Sequence, residues 1–118
     1  MPTYSRQLLS GSTNGRAISA AATATPGTPL HVAVAGTAAF DEVYLWVSNV
    51  TGAAHQLTLE WGGVGNPADH MVHQFSIPAN SPPIPIATGQ VLQNGLTVAA
   101  FADAANALVI TGYVNRIQ

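Results

Sequence analysis

The chain contains no cysteine and no lysine, and charged residues make up only 7% of its 118 positions. Without cysteine, neither a disulfide nor a thiolate metal site can hold the fold. An average soluble domain is about 25% charged. Here the cations are three arginines, Arg6, Arg16 and Arg116, and the formal net charge is −2. Binding to nucleic-acid phosphates draws on Lys and Arg in number, so no nucleic-acid partner is expected. Long apolar runs are missing too. No segment approaches the roughly 18 residues of a membrane span, and no membrane association is expected. Near the N-terminus the one apolar cluster is the pair Leu8-Leu9, where a secretory signal needs about 7–15 apolar residues. The expectation is a soluble protein made in the cytoplasm.

What remains is a surface of Ala, Thr, Ser, Gly, Asn and Gln. Burying such groups costs less than burying unpaired charge. A low-charge extracellular domain has the same profile, but the preferred reading is that much of this surface is interface. Hydrophobic residues are 47% of the chain, enough for one core at the usual single-domain size.

The apolar pattern runs in strand periods. Glu42–Val50 is rich in β-branched and aromatic residues, apolar on both faces, as in a central strand. His55–Trp61 alternates strictly, with Leu57, Leu59 and Trp61 on one face and Gln56, Thr58 and Glu60 on the other, as a half-buried strand does. The turn Thr51-Gly52-Ala53-Ala54 between them predicts a hairpin. Further strands are expected at Ala17–Thr25, Leu30–Val34, Val72–Ile77, Leu96–Phe101 and Ala107–Val114. Ile84–Ile86 reads as an edge strand because Pro85 cannot donate to a ladder. Asn94-Gly95 is the strongest turn signal. The sum is all-β: a single-domain antiparallel β-sandwich of about seven or eight strands, jelly-roll-like in one arrangement, with an up-and-down barrel as the alternative. Residues 1–16, with Gly11-Ser12-Thr13-Asn14-Gly15, read as an N-terminal arm outside a sandwich of residues 17–118.

Four histidines and five carboxylates are present, yet they form no catalytic or metal pattern. His70 and His73, beside Asp69, lie three apart, which on a regular strand means opposite faces. Only a bend would bring them together. His31 and His55 have no carboxylate close in sequence. Gly62-Gly63-Val64-Gly65 lacks the Lys, Ser/Thr and following helix of a phosphate loop. Asn49-Val50-Thr51 matches a glycosylation sequon but has no secretory signal with it. Tyr44 and Trp46 share a face opposite Val43, Leu45 and Val47. A second core layer is the preferred reading of that face, and an exposed aromatic patch the alternative. No enzyme activity, cofactor or metal is expected.

The opening Tyr4-Ser5-Arg6-Gln7-Leu8-Leu9-Ser10-Gly11-Ser12, the Glu60-Trp61-Gly62-Gly63 turn and the closing Gly112-Tyr113-Val114-Asn115-Arg116-Ile117 resemble small virion proteins of tailed bacteriophages. The resemblance implies a head decoration (cement) protein on the capsid surface, often a homotrimer, that binds the major capsid protein and stabilises the head. It transfers no individual binding residue. A neck, tail or fibre component and a carbohydrate-binding module are the alternatives. The arm is expected to attach the protein to its neighbours, with Tyr4, Arg6, Arg16 and Arg116 as interaction residues. Arginine suits forked hydrogen bonds at an interface.

Overall fold

Alternation along one ten-residue strand organises the molecule. From Phe40 to Asn49 every second side chain is buried: Asp41, Val43, Leu45, Val47 and Asn49. Tyr44 and Trp46 lie on the opposite face, partly exposed, so the aromatic pair is an outer patch and not a second core layer. A computed structural model describes residues 3–118. Among these it shows nine strands: β1 (Tyr4–Leu8), β2 (Ile18–Ser19), β3 (Thr28–Val32), β4 (Phe40–Asn49), β5 (His55–Trp61), β6 (His70–Ile77), β7 (Ile84–Leu92), β8 (Thr97–Ala102) and β9 (Leu108–Ile117).

The strands form two antiparallel sheets. One runs β1-β9-β4-β7, with β2 also paired to β9, and the other runs β3-β8-β5-β6. The pairs β2·β9, β3·β8, β4·β7 and β5·β6 describe an eight-stranded ribbon rolled on itself. This is a jelly-roll sandwich, not an up-and-down barrel. The topology corrects the expected β4–β5 hairpin. Those strands lie in different sheets, and the consecutive strands that pair are β5 and β6. Asn94 and Gly95 do both take positive φ, but their turn carries the chain from one sheet to the other. It is fixed by bonds from the Gly95 and Asn94 N–H groups to the Val34 and Gly36 carbonyls. Pro85 behaves as expected: β7 is an edge strand, and one of its two register shifts falls between Ala87 and Pro85.

The proposed arm also needs correction. Residues 1 and 2 lie outside the described residues, but Tyr4–Leu8 pairs along the whole end of β9, from Tyr4 opposite Ile117 to Leu8 opposite Tyr113. Thr3 and Gln118 exchange both backbone hydrogen bonds, and Leu9 is buried in the core. The boundary at residue 16 therefore cuts through the domain. The Gly- and Ser-rich stretch that marked the arm is only the loop after β1.

Leu30, Val43, Leu45, Val47, Leu57, Leu59, Ile77, Val98, Leu108, Ile110 and Val114 fill the space between the sheets. Each such side chain contributes about 1.5–3 kcal/mol when fully buried. A polar brace closes one end. Asp41 on β4 and Arg116 on β9 are cross-strand neighbours. Arg116 Nε donates to Asp41 Oδ1 at 2.8 Å and its terminal nitrogen to Oδ2 at 3.0 Å. His31 reaches across from the other sheet. Its Nδ1 accepts the Ser10 N–H at 3.0 Å, so Nε2 carries the hydrogen donated to Asp41 Oδ2 at 2.7 Å. Burial alone would raise the Asp41 carboxyl. The hydrogen bonds from Arg116 and His31 outweigh it and hold the carboxyl below its ordinary value.

Candidate functional site

Each sheet has one face in the core, so any site must lie on an outer face, at an edge or in the loops. The two outer faces differ in chemistry.

On the five-stranded sheet, cross-strand partners set out the face in rows. Tyr44 lies opposite Tyr113, Trp46 opposite Thr111, and Phe40 opposite Ile117. On the far side of β9, Leu8 lies opposite Tyr113 and Tyr4 opposite Ile117. Tyr4 is 67% exposed and Leu8 56%, with Val91 of β7 at 51%. The charges on this face are Arg6 and Glu42, both paired across β9 with Asn115. The Tyr44 and Tyr113 rings stack at 5.0 Å, Trp46 stacks on Tyr113 at 6.1 Å, and the Arg6 guanidinium sits 4.6 Å from the Tyr113 ring centre. The Tyr113 ring is thus taken up by its neighbours. A sugar would need an open ring surface, whereas these rings present a continuous apolar relief. Such a relief suits the packing of another protein surface.

The four-stranded sheet is roofed on its outer side by the chain between β2 and β3. Gly27 lies so close to β8 that a Cβ there would stand 2.8 Å from the Ala100 backbone. The Glu60 carboxyl, fully buried, pins this segment. It accepts from Thr25 Oγ1 at 2.5 Å and from the Gly27 N–H at 2.7 Å. Beside the roof, a cleft of about 200 Å³ is lined by residues including Thr23, Asn66, His70, His73, Gln74 and Phe101. A second of about 160 Å³ shares Thr23, Thr58, Gln74 and Phe101 with it.

His70 and His73 converge here against the expectation of opposite faces. Strand β6 slips register against β5 twice, once between the Leu57 and Leu59 pairings and again between Leu59 and Glu60. Gln74, within the first slip, takes φ +50°. Bulges of this kind re-aim side chains, and the two Nδ1 atoms end 2.8 Å apart. The sequence held one signal for this: Met71 and Val72 are consecutive apolar residues in an otherwise alternating strand, and both pack on the core. Asp69 takes no part. Its carboxylate turns into the glycine loop, accepting the Gly65 N–H at 2.8 Å, and that is the role of the Gly62–Gly65 stretch. Among the described residues no three His, Asp or Glu side chains gather as metal ligands.

Of the sequence-derived interaction residues, Tyr4 and Arg6 stand exposed on the aromatic face. Arg16 lies apart, in the loop after β1, where its carbonyl accepts from Ser12 Oγ. Arg116 is corrected: its fork is spent on Asp41 inside the brace. His55, without a carboxylate nearby in sequence, meets Asp103 at 2.9 Å. Ser10, His31 and Asp41 lie in contact as the members of a hydrolase relay would, but the bond to His31 comes from the Ser10 backbone N–H. Ser10 Oγ instead accepts the Val32 N–H. A nucleophile must hand its own proton to the base, and this arrangement offers no such path. The sequon asparagine, Asn49, is buried, with its amide donating to the Ala53 and Ile77 carbonyls.

No protein-family model, curated protein or solved structure matches this chain.

Proposed function

We propose that this chain is a non-enzymatic structural protein of a tailed-phage virion, of the head decoration type, which forms a homo-oligomer and docks on the major capsid protein. The observation that carries the reading is the outer face of the five-stranded sheet, with aromatic and apolar rows over β1, β9 and β4, Val91 beside them on β7, and one polar row, Arg6–Asn115–Glu42, between them. Large apolar faces of this kind mark protein contacts, and low surrounding charge keeps the desolvation cost small. The resemblance at both chain ends supports placing the contact in a phage head, at the capsid surface. A trimer is the expected oligomer. The same face would serve a neck, tail or fibre component, and binding to purified shells separates these cases.

The test pairs solution mass with co-sedimentation. The unaltered chain should sediment as an oligomer at micromolar concentration and pellet with purified capsid shells of the encoding phage. Trp46→Ser combined with Tyr113→Ser should remain folded, shift to the monomer and stay in the supernatant. A monomeric wild-type chain that ignores the shells would overturn the proposal.

A further inference from the structure

The groove on the four-stranded sheet carries a separate inference, independent of the assembly reading. Four observations converge on it. Two register slips in β6 aim His70 and His73 at one point. Gln74 occupies a left-handed conformation at φ +50° that glycine or asparagine would take with less strain. Phe101 is half-buried on the outer side of β8, with the His70 ring edge-on at 6.2 Å. Two adjoining clefts, of about 200 and 160 Å³, share the Gln74 and Phe101 walls.

The chemistry of the lining narrows the ligand. The nearby carboxyls are engaged, Glu60 with Thr25 and Gly27 and Asp103 with His55, and neither cleft is lined by Lys or Arg that would select an anion. Thr23, Asn66, Gln74 and the two imidazoles offer groups that both donate and accept, which matches a ring of hydroxyls. Phe101 offers one apolar surface for the C–H face of such a ring. The clefts are smaller than the roughly 300–1,000 Å³ of drug-sized sites. A metal fits less well. The ring centres lie 5.0 Å apart across a nitrogen contact of 2.8 Å. That is what two half-rings laid end to end add up to, so the nitrogens face each other along one line. Imidazole and zinc sit about 2.0–2.1 Å apart, which leaves no room for an ion on that line, whereas a shared hydrogen fits. The Nδ1 atoms thereby lock each other, and each ring keeps Nε2 for a ligand.

We propose that this groove binds a single neutral hexopyranose unit, with Phe101 under the ring and Gln74, Asn66 and the His70–His73 pair bonding its hydroxyls. The probes are D-glucose, D-galactose, D-mannose and N-acetyl-D-glucosamine, each titrated into the full chain while the His and Phe ring signals are followed by NMR. At least one should give saturable shifts of Phe101, His70 and His73 with Kd on the order of 1 mM, an affinity that a small polar ligand reaches. Gln74→Gly, which relieves the backbone and should fold at least as well, and His73→Ala should each weaken that binding about tenfold. Trp46→Ser on the opposite face should leave it unchanged. Three results would overturn the proposal: no shift with any of the four sugars, equal loss in Trp46→Ser, or ring shifts produced by zinc or nickel ions and not by sugar.

Discussion

Both outer faces of this sandwich come from the same period-two pattern, yet they relate to the fold in opposite ways. On the five-stranded sheet the side chains touch mainly one another: Tyr44, Trp46, Tyr113 and Arg6 form a layer above the backbone. On the four-stranded sheet the outward polar residues are tied into the structure. Glu60 holds the covering segment, and Thr58 Oγ1 accepts the Gln74 N–H inside the bulge. A face whose residues hold up nothing else is free to hold a partner. A face bonded into its own backbone is stiff, and stiffness is what a small, shaped groove requires.

Mutations on the two faces should separate stability from association. Glu60→Ala should have the largest effect. It leaves the buried Gly27 N–H without its acceptor and removes the bond from the exposed Thr25 hydroxyl, at a cost of about 3 kcal/mol, visible as a lower urea midpoint in a monomeric background. Next comes the brace that ends both faces. The Asp41 carboxyl is held below its ordinary value. Its contribution is therefore complete above the unfolded value of about 3.9 and is lost as pH falls through the folded value. Urea titrations from pH 6 to 2 should show this loss in the wild type. In Asp41→Asn that step should be absent, and stability near neutral pH should be about 2–3 kcal/mol lower, the scale of lost hydrogen bonds to a charged group, because the Arg116 side chain keeps some access to water. Tyr44→Ser should cost about 1 kcal/mol, the scale of one aromatic pair, while removing most oligomer from the sedimentation profile. If its stability cost exceeds that of Glu60→Ala, the contrast between the faces is wrong. The smallest effect belongs to Gln74→Gly, which should stabilise by up to about 1 kcal/mol through relief of the left-handed backbone. Differential scanning calorimetry is sensitive enough to see it.

Alternation and turn residues carried the fold class well. β5 lies where strict alternation placed it, and β4, β8 and β9 lie within a few residues of expectation. Sheet membership was not legible, because Thr51-Gly52 and Asn94-Gly95 turn the chain equally well within a sheet or between sheets. β1 was missed for a physical reason. As an edge strand it buries neither face deeply, so Tyr-Ser-Arg-Gln-Leu lacks the apolar face that marks a strand, and its ladder to β9 is invisible in sequence. The outer aromatic face was half legible. Tyr44 and Trp46 were seen to share a side, but which side met the core depended on whether Val43, Leu45 and Val47 could fill it alone. The groove was the least legible, since it depends on two register slips and on contacts among residues as distant as Thr25 and Glu60.

Strand β9 pairs with β1, β2 and β4, and this has a consequence for how the molecule comes into being on the ribosome. The five-stranded sheet is built around the last of the nine strands to be translated. Until Leu108–Ile117 emerges, β1 and β2 have no ladder to join, and β4 has only β7. The four-stranded sheet, by contrast, is complete once β8 has left the exit tunnel. The nascent chain therefore waits with one sheet able to form and the other open along its centre, its aromatic side chains uncovered. A stop codon before Leu108 would leave it in that state permanently. Such a product should be cleared or should aggregate, and should not persist as a shortened but usable domain.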